Sequence, residues 1–163
     1  MKTLDLIFRK INSILEVLLI TIFALLVFDV LWQVLSRYIL GRSFSFTEEF
    51  ARFSLIWLSI LGAAYLNAHR EQLSMDFIFK KLKERQQKKV LYLIEGSIFV
   101  FALVVMVIGG FNLVYTTLHL EQLSGTLRIP LGYIYAILPI SGVLTMCFSI
   151  YHVLKIRSGQ IKE

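Results

Sequence analysis

The sequence predicts an all-α integral membrane protein: four tilted transmembrane helices plus a cytoplasmic interfacial amphipathic helix, in a single domain over residues 1–163. Three observations predict this. The chain is 57% hydrophobic and 17% charged, whereas soluble domains carry about a quarter charged residues. Four apolar runs each reach the ~20 residues of helix that a ~30 Å hydrocarbon core requires. The charges collect in the short segments between those runs, and this placement speaks against nucleic acid as a partner despite a net charge of +6. Lipid is the expected surrounding.

The start, "MKTLDLIFRKINS", is basic, and no small-residue cleavage site follows at signal-peptide distance. The first run, about 14–38, is therefore expected to stay as an anchor. Ahead of it, Leu4, Ile7, Phe8 and Ile11 repeat at helical spacing, which predicts a short helix along the membrane surface. The second run covers about 50–68, and Ser45-x-x-Glu48 reads as a capping box at its entry.

The connection to the third run contains "LSMDFIFKKLKERQQKK". Met75, Ile78, Phe79 and Leu82 follow i, i+3, i+4, i+7 and form one apolar stripe, predicting the interfacial helix over about 74–85. Ser74 is placed as its N-cap, with Leu73 and Ile78 as a hydrophobic staple. Its lysine-rich opposite face suits anionic lipid headgroups. A generic interfacial stop and a partner-docking helix are both open. The third run, about 90–118, is longer than a bilayer needs, which predicts a strong tilt or a protruding end. The fourth covers about 131–154, and Pro139 is expected to kink it. Cys147 is the single cysteine, so no intrachain disulfide and no thiol pair is available.

Orientation follows from Lys and Arg. Thirteen lie in the N-terminal segment, the connection between runs two and three, and the tail; only Arg37, Arg42, Arg52 and Arg128 lie on the other side. Both termini and the middle connection are thus expected in the cytoplasm.

One stretch, "FSFTEEFARFSLIW", carries charges into an apolar helix. Glu48 and Glu49 fall in the first turn, where carboxylates favour the helix dipole, and Arg52 shares their face. An Arg at a helix centre costs about 2.5–3.5 kcal/mol on insertion scales, which the apolar residues of the run can offset. On the first run, Asp29, Gln33 and Arg37 are spaced by four and line one face. A short outer loop makes runs one and two an antiparallel pair and brings Arg52 to the level of Gln33, within reach of Asp29. The expectation is one polar cluster of Asp29, Gln33, Arg37, Glu48, Glu49 and Arg52, with Trp57 nearby as a packing anchor. Three roles compete: fixing helices to one another or to a partner, relaying protons or ions, and catalysis. Catalysis needs a nucleophile with a nearby base, and neither G-x-S-x-G nor H-E-x-x-H occurs.

Other residues say less. His69, His119 and His152 are scattered, with His119 and His152 near opposite ends of their runs, so they do not offer two haem ligands at one depth. Glu95 and Asn112 are read as packing or partner contacts. Ser59, Gly62 and Ala63, and Ser141, Thr145 and Ser149, permit close helix approach without naming the helix that approaches.

The stretches "EEFARFSLIW", "ILGAAYLNAHR", "HREQLSMDFI" and "LRIPLGYIYAILPISG", in this order and spacing, resemble the small membrane subunit of tripartite ATP-independent periplasmic (TRAP) transporters, the DctQ-type family. The resemblance covers nearly the whole chain. It implies a bacterial inner-membrane protein in complex with a large permease subunit. A periplasmic binding protein delivers an organic acid such as sialic acid, a C4-dicarboxylate or a sugar acid, and a sodium gradient drives uptake. The large subunit holds the substrate and sodium sites. The small one needs no cofactor and acts as a scaffold, with a share in the dock for the binding protein. Two rivals stand beside it. One is a membrane anchor of a respiratory oxidoreductase, which lacks paired histidines here. The other is a stand-alone ion-coupled transporter using Asp29 or Glu95.

Overall fold

The computed structural model describes residues 2–41, 44–69 and 84–157, and among these the side chains of all but 2–4, 40, 84 and 85. The described residues form an all-α bundle with four helices long and apolar enough to cross a membrane. The interfacial helix expected over 74–85, with Met75, Ile78, Phe79 and Leu82, lies outside the described residues except for its last two positions.

Helix α1 spans Lys2–Leu40. At ~1.5 Å per residue its 39 residues reach about 58 Å. The N-terminal stripe is therefore no separate surface helix; it continues into the first run without a break. Phe8 and Ile11 turn inward and pack against the core, and Phe8 stacks on Tyr151 at 4.3 Å between ring centroids. The physical reason is that the stripe finds a protein face before it needs a lipid one. Arg37 sits in the last turn, where a cation favours the helix dipole. Gly41, at φ +63°, ends the helix in a left-handed conformation that glycine adopts without a Cβ clash.

Helix α2 spans Ser45–His69. Its start differs from the capping box. Ser45 is already helical, and the Thr47 hydroxyl donates to the Phe44 carbonyl at 2.7 Å, so neither Ser45 nor Glu48 forms the reciprocal caps.

The third rod has three parts: α3 (Glu84–Phe101), a π-helical segment (Ala102–Gly109) and α4 (Gly110–His119). A π-helix widens the turn, and eight residues of it is long for a conformation seen mostly as single-turn bulges. The fourth rod consists of α5 (Leu131–Tyr135) and α6 (Ile137–Arg157), separated by a turn at Ala136. Pro139 sits just beyond; it lacks the N–H that Tyr135 would otherwise receive. The interruption expected from proline is present, one turn ahead of the ring.

The two irregularities face each other. Gly110 lies against Pro139 and Leu138, and Gly142 against Met106 and Val107. A Cβ on Gly142 would stand 2.8 Å from Met106 Cβ and 2.9 Å from Val107 Cγ2. Glycine is what lets the two rods approach so closely.

Helix α6 is the hub. It packs against α2, α3 and the π segment, while α1 packs on α2. Leu15, Leu61, Ile137 and Phe148 form the core, drawn from α1, α2 and α6. In the most apolar stretch of each rod, 39% of the fourth is buried against 6% of the first. The outer helices therefore present apolar side chains outward, as a bilayer requires.

Candidate functional site

The buried polar groups settle which helices hold one another. In α2, Trp57 Nε1 donates to the Ile134 carbonyl at 3.1 Å, beside the turn that interrupts the fourth rod. Ser141 Oγ donates to the Ile60 carbonyl at 2.9 Å. Asn67 Nδ2 donates to the Thr145 carbonyl at 3.4 Å, and His152 Nε2 meets the Ala68 carbonyl at 3.2 Å. These four contacts run in register down the parallel pair of α2 and the fourth rod. Interhelical hydrogen bonds of this kind average about 0.6 kcal/mol in membrane proteins and reach ~1.7. Each also spares a buried polar atom the larger cost of lacking a partner.

Helix α1 joins the same frame near the chain termini. Asn12 Nδ2 approaches His69 Nε2 at 3.2 Å, and His69 Nδ1 approaches the Tyr65 carbonyl at 3.1 Å. The Tyr151 hydroxyl donates to Asp5 Oδ1 at 2.6 Å, and Lys155 lies over the Tyr151 ring. A further network joins the third rod to the fourth. Ser149 Oγ lies 2.9 Å from Glu95 Oε2 and 2.8 Å from the Glu95 carbonyl, and Glu95 Oε1 lies 3.1 Å from His152 Nδ1.

At the opposite end of the bundle, the charged residues of α1 and α2 divide. Asp29, 8% exposed, accepts a 2.6 Å hydrogen bond from Gln33 Nε2 one turn along α1. Glu49, 9% exposed, turns toward the loop between α4 and α5. Its Oε1 accepts from the Gly125 amide at 2.9 Å, and its Oε2 from the Thr126 and Leu127 amides at 3.0 and 2.8 Å. Three successive backbone N–H groups make a concave anion nest, and a side chain of α2 fills it. The loop is tied beneath by a bridge between Leu123 and Pro130 and by bonds from Ser124 N to Ile129 O and Leu131 N to Gln122 O, both 2.9 Å. Glu121 and Arg128 take positive φ of 47° and 51°, conformations in which non-glycine residues are uncommon.

The single cluster expected from spacing is therefore two local arrangements. Asp29 and Gln33 pair within α1, and Glu49 holds the far loop. Arg37, Glu48 and Arg52 point outward, and among the described residues none makes an ion pair or hydrogen bond. Arg52 does not reach Asp29. The reason is geometric: the N-terminal end of α2 packs toward the loop, and the Glu49 carboxylate turns to the three amides there.

The small-residue patches divide as well. Ser141, Thr145 and Ser149 lie in the interior, whereas Ser59 bonds back to the Leu55 carbonyl, and a Cβ on Gly62 would meet no neighbouring atom within 4 Å. His119 stacks on Tyr115 near the end of α4, far along the rods from His152. Among the described residues no group of three or more His, Cys, Asp or Glu side chains could hold a metal ion.

The Glu95–Ser149–His152 network escapes a reading by motif. A positional signal was present: Glu95 and His152 each lie within two turns of basic residues, Lys88 and Lys89 in one run and Lys155 in the other, which sets them at similar depth.

Comparisons with known proteins point one way. The family model "Tripartite ATP-independent periplasmic transporters, DctQ component" matches residues 26–159. The chain is 28% identical over 156 residues to a protein of Haemophilus influenzae described as a TRAP transporter small permease protein, covering 93% of this chain and 95% of that one. It is 29% identical over 122 residues to the isethionate TRAP transporter permease protein DctMQ of Oleidesulfovibrio alaskensis, covering 71% of this chain and 19% of the longer relative.

Proposed function

The chain belongs to the DctQ-component family of tripartite ATP-independent periplasmic transporters, and from that premise we propose that it is the stationary brace of a sodium-coupled importer of organic acids. In this reading it clamps the immobile part of a large permease subunit while a mobile part of that partner carries substrate. A periplasmic binding protein delivers the acid. Sialic acid, C4-dicarboxylates and sugar acids are all chemically suitable cargoes, and their sites belong to the other subunits.

The observation that carries this reading is the use of polar groups inside the bundle. Trp57, Ser141, Asn67 and His152 are committed to backbone carbonyls of a neighbouring rod. Such groups hold helices in one arrangement. The outward Arg37, Glu48 and Arg52, which make no ion pair or hydrogen bond among the described residues, supply charge for a second protein, because ionisable groups near a membrane core face protein or water rather than lipid. The relative DctMQ, of which this chain matches about a fifth, supports a permease partner of greater length.

The Lys and Arg distribution supports an inner-membrane orientation with both termini in the cytoplasm. The loop held by Glu49 then faces the periplasm, where a delivered binding protein arrives. Replacing Arg52 by Ala tests the docking role. The expected result is weaker co-purification with the large permease subunit or loss of uptake; complex and uptake both unchanged would remove Arg52 from the interface.

A further inference from the structure

Among the described residues of the third rod, Glu95, Ala102, Gly110 and Thr117 are buried, at intervals of seven, eight and seven. Residues seven apart share one face of an α-helix, so the interval from Ala102 to Gly110 holds one residue too many. The π segment, Ala102–Gly109, falls in that interval. Its i→i+5 hydrogen bonds spend more residues per turn than an α-helix does and absorb the extra one.

The extra position is flanked by duplicates. Gly109 precedes Gly110, and Thr116 precedes Thr117. Gly109 and Thr116 are exposed, yet they are the residues that continue the series Glu95, Ala102 at the α-helical interval of seven. The chain carries the same two residue types, at the same spacing, on two neighbouring faces of the rod. We propose that the outer half of the third rod is a two-register element: it rests in the observed π register and can pass to an α register in which Gly109 and Thr116 take the places of Gly110 and Thr117.

Both places accept the substitute. In the first, a Cβ would stand 2.9 Å from Pro139 Cδ and 3.1 Å from Leu138 Cβ and Pro139 N, so glycine alone fits, and each register supplies one. In the second, the Thr117 hydroxyl donates at 2.6 Å to the Leu113 carbonyl of its own helix. Thr116 can repeat that bond to Asn112 one residue back. Among the described residues, the side chains of Ala102–His119 make no hydrogen bond to another rod. The inner half differs, because Ser149 of the fourth rod donates to the Glu95 carbonyl at 2.8 Å. The outer half can therefore turn without breaking a polar contact between rods, while the inner half stays pinned.

Two features set the resting register. Gly132 receives the Leu118 side chain so closely that a Cβ would have no room; the α register puts the smaller Thr117 there. The loop beyond α4 is also gripped by Glu49. Passage to the α register turns α4 by one residue, about 100°, and advances it about 1.5 Å toward that loop. The register thus sets how the loop is presented, with two packings of one element as the bistable unit. The α2 contacts to the fourth rod are not part of it.

The test compares Gly109→Ala, Gly110→Ala and the double variant of the full chain in mild detergent. Each is made with Cys147→Ser and either Thr116→Cys or Thr117→Cys, and alkylation by a maleimide is timed. With both glycines present, the thiol at 116 should react several-fold faster than the thiol at 117. Gly109→Ala should keep that order, because its methyl meets only the Val104 carbonyl oxygen of its own rod, at 3.6 Å. Gly110→Ala should reverse the order, since the methyl is excluded beside Pro139 and the α register relieves it. The double variant blocks both registers, so its loss of stability should exceed the sum of the two single changes. Gly110→Ala that folds with the order unchanged would overturn the proposal, as would failure of either single variant to fold, or additive stabilities. The chain alone serves for every arm, so the outcome is independent of the transport reading.

Discussion

Substituting Gly142 by Ala should destabilise the bundle, and the same substitution at Gly62 or Gly96 should stabilise it. All three glycines lie inside helices. Replacing Gly by Ala in a helix interior gains about 0.8–1 kcal/mol from backbone entropy. At Gly62 and Gly96 nothing lies within 4 Å of the added methyl, so that gain should appear nearly whole. At Gly142 the methyl meets Met106 Cβ at 2.8 Å, Val107 Cγ2 at 2.9 Å and the Val107 backbone nitrogen at 3.2 Å. Two of those atoms are fixed to the π segment's backbone and cannot swing away. The rods must separate, and overpacking of this kind costs typically ~1–3 kcal/mol. The gap between Gly142→Ala and the two controls should therefore be about 1–3 kcal/mol, read as free energies of unfolding in mild detergent. Adding Val107→Ala should recover part of it, because the Cγ2 contact goes while the Cβ and backbone contacts stay. If Gly142→Ala is as stable as Gly62→Ala, the close approach of the third and fourth rods is wrong.

Further outcomes follow from the same geometry. Glu49→Ala should speed hydrogen exchange at the Gly125, Thr126 and Leu127 amides, with Glu49→Gln intermediate, because an amide oxygen can fill only part of the nest. Exchange unchanged in Glu49→Ala would mean that the loop holds itself. Trp57→Phe keeps the ring packing and removes one donor, so it should cost about 0.6–1.7 kcal/mol in unfolding measurements; no loss would mean the Ile134 carbonyl finds another donor. Asn67→Leu should destabilise by a similar ~0.6–1.7 kcal/mol, and combining it with Trp57→Phe should add nearly independently, since the two contacts lie about three turns apart.

The four rods were legible because length and apolar content are dictated by the bilayer and show in a single chain. The break near Pro139 is local backbone chemistry and shows in the sequence. What escaped were contacts between distant residues. Charge pattern draws attention to Glu49, but the first turn of the helix holds Glu48 as its acidic residue, and the partners of Glu49 lie 76 to 78 positions away; no pattern in the sequence names a backbone amide as a ligand. Spacing puts Arg52 at the level of Gln33, within reach of Asp29; depth alone does not set the rotation of one helix against its neighbour. Ser141, Thr145 and Ser149 stood out as a stripe, but whether a stripe meets α2, the third rod or another protein depends on packing; here Ser141 meets α2 and Ser149 meets Glu95. The π segment is invisible to composition, since its residues "ALVVMVIG" suit an ordinary α-helix as well.

A bracing role requires α2 and the fourth rod to stay fixed to each other while the assembled transporter works. The direct measurement replaces Cys147 by Ser, places cysteines at Ile60 and Ser141, whose parent residues touch through a 2.9 Å hydrogen bond, and joins them chemically in the assembled transporter. Uptake that continues at the uncross-linked rate is the predicted result. Uptake that stops on cross-linking and returns on reduction would show that these helices move in the cycle, and the brace would be contradicted.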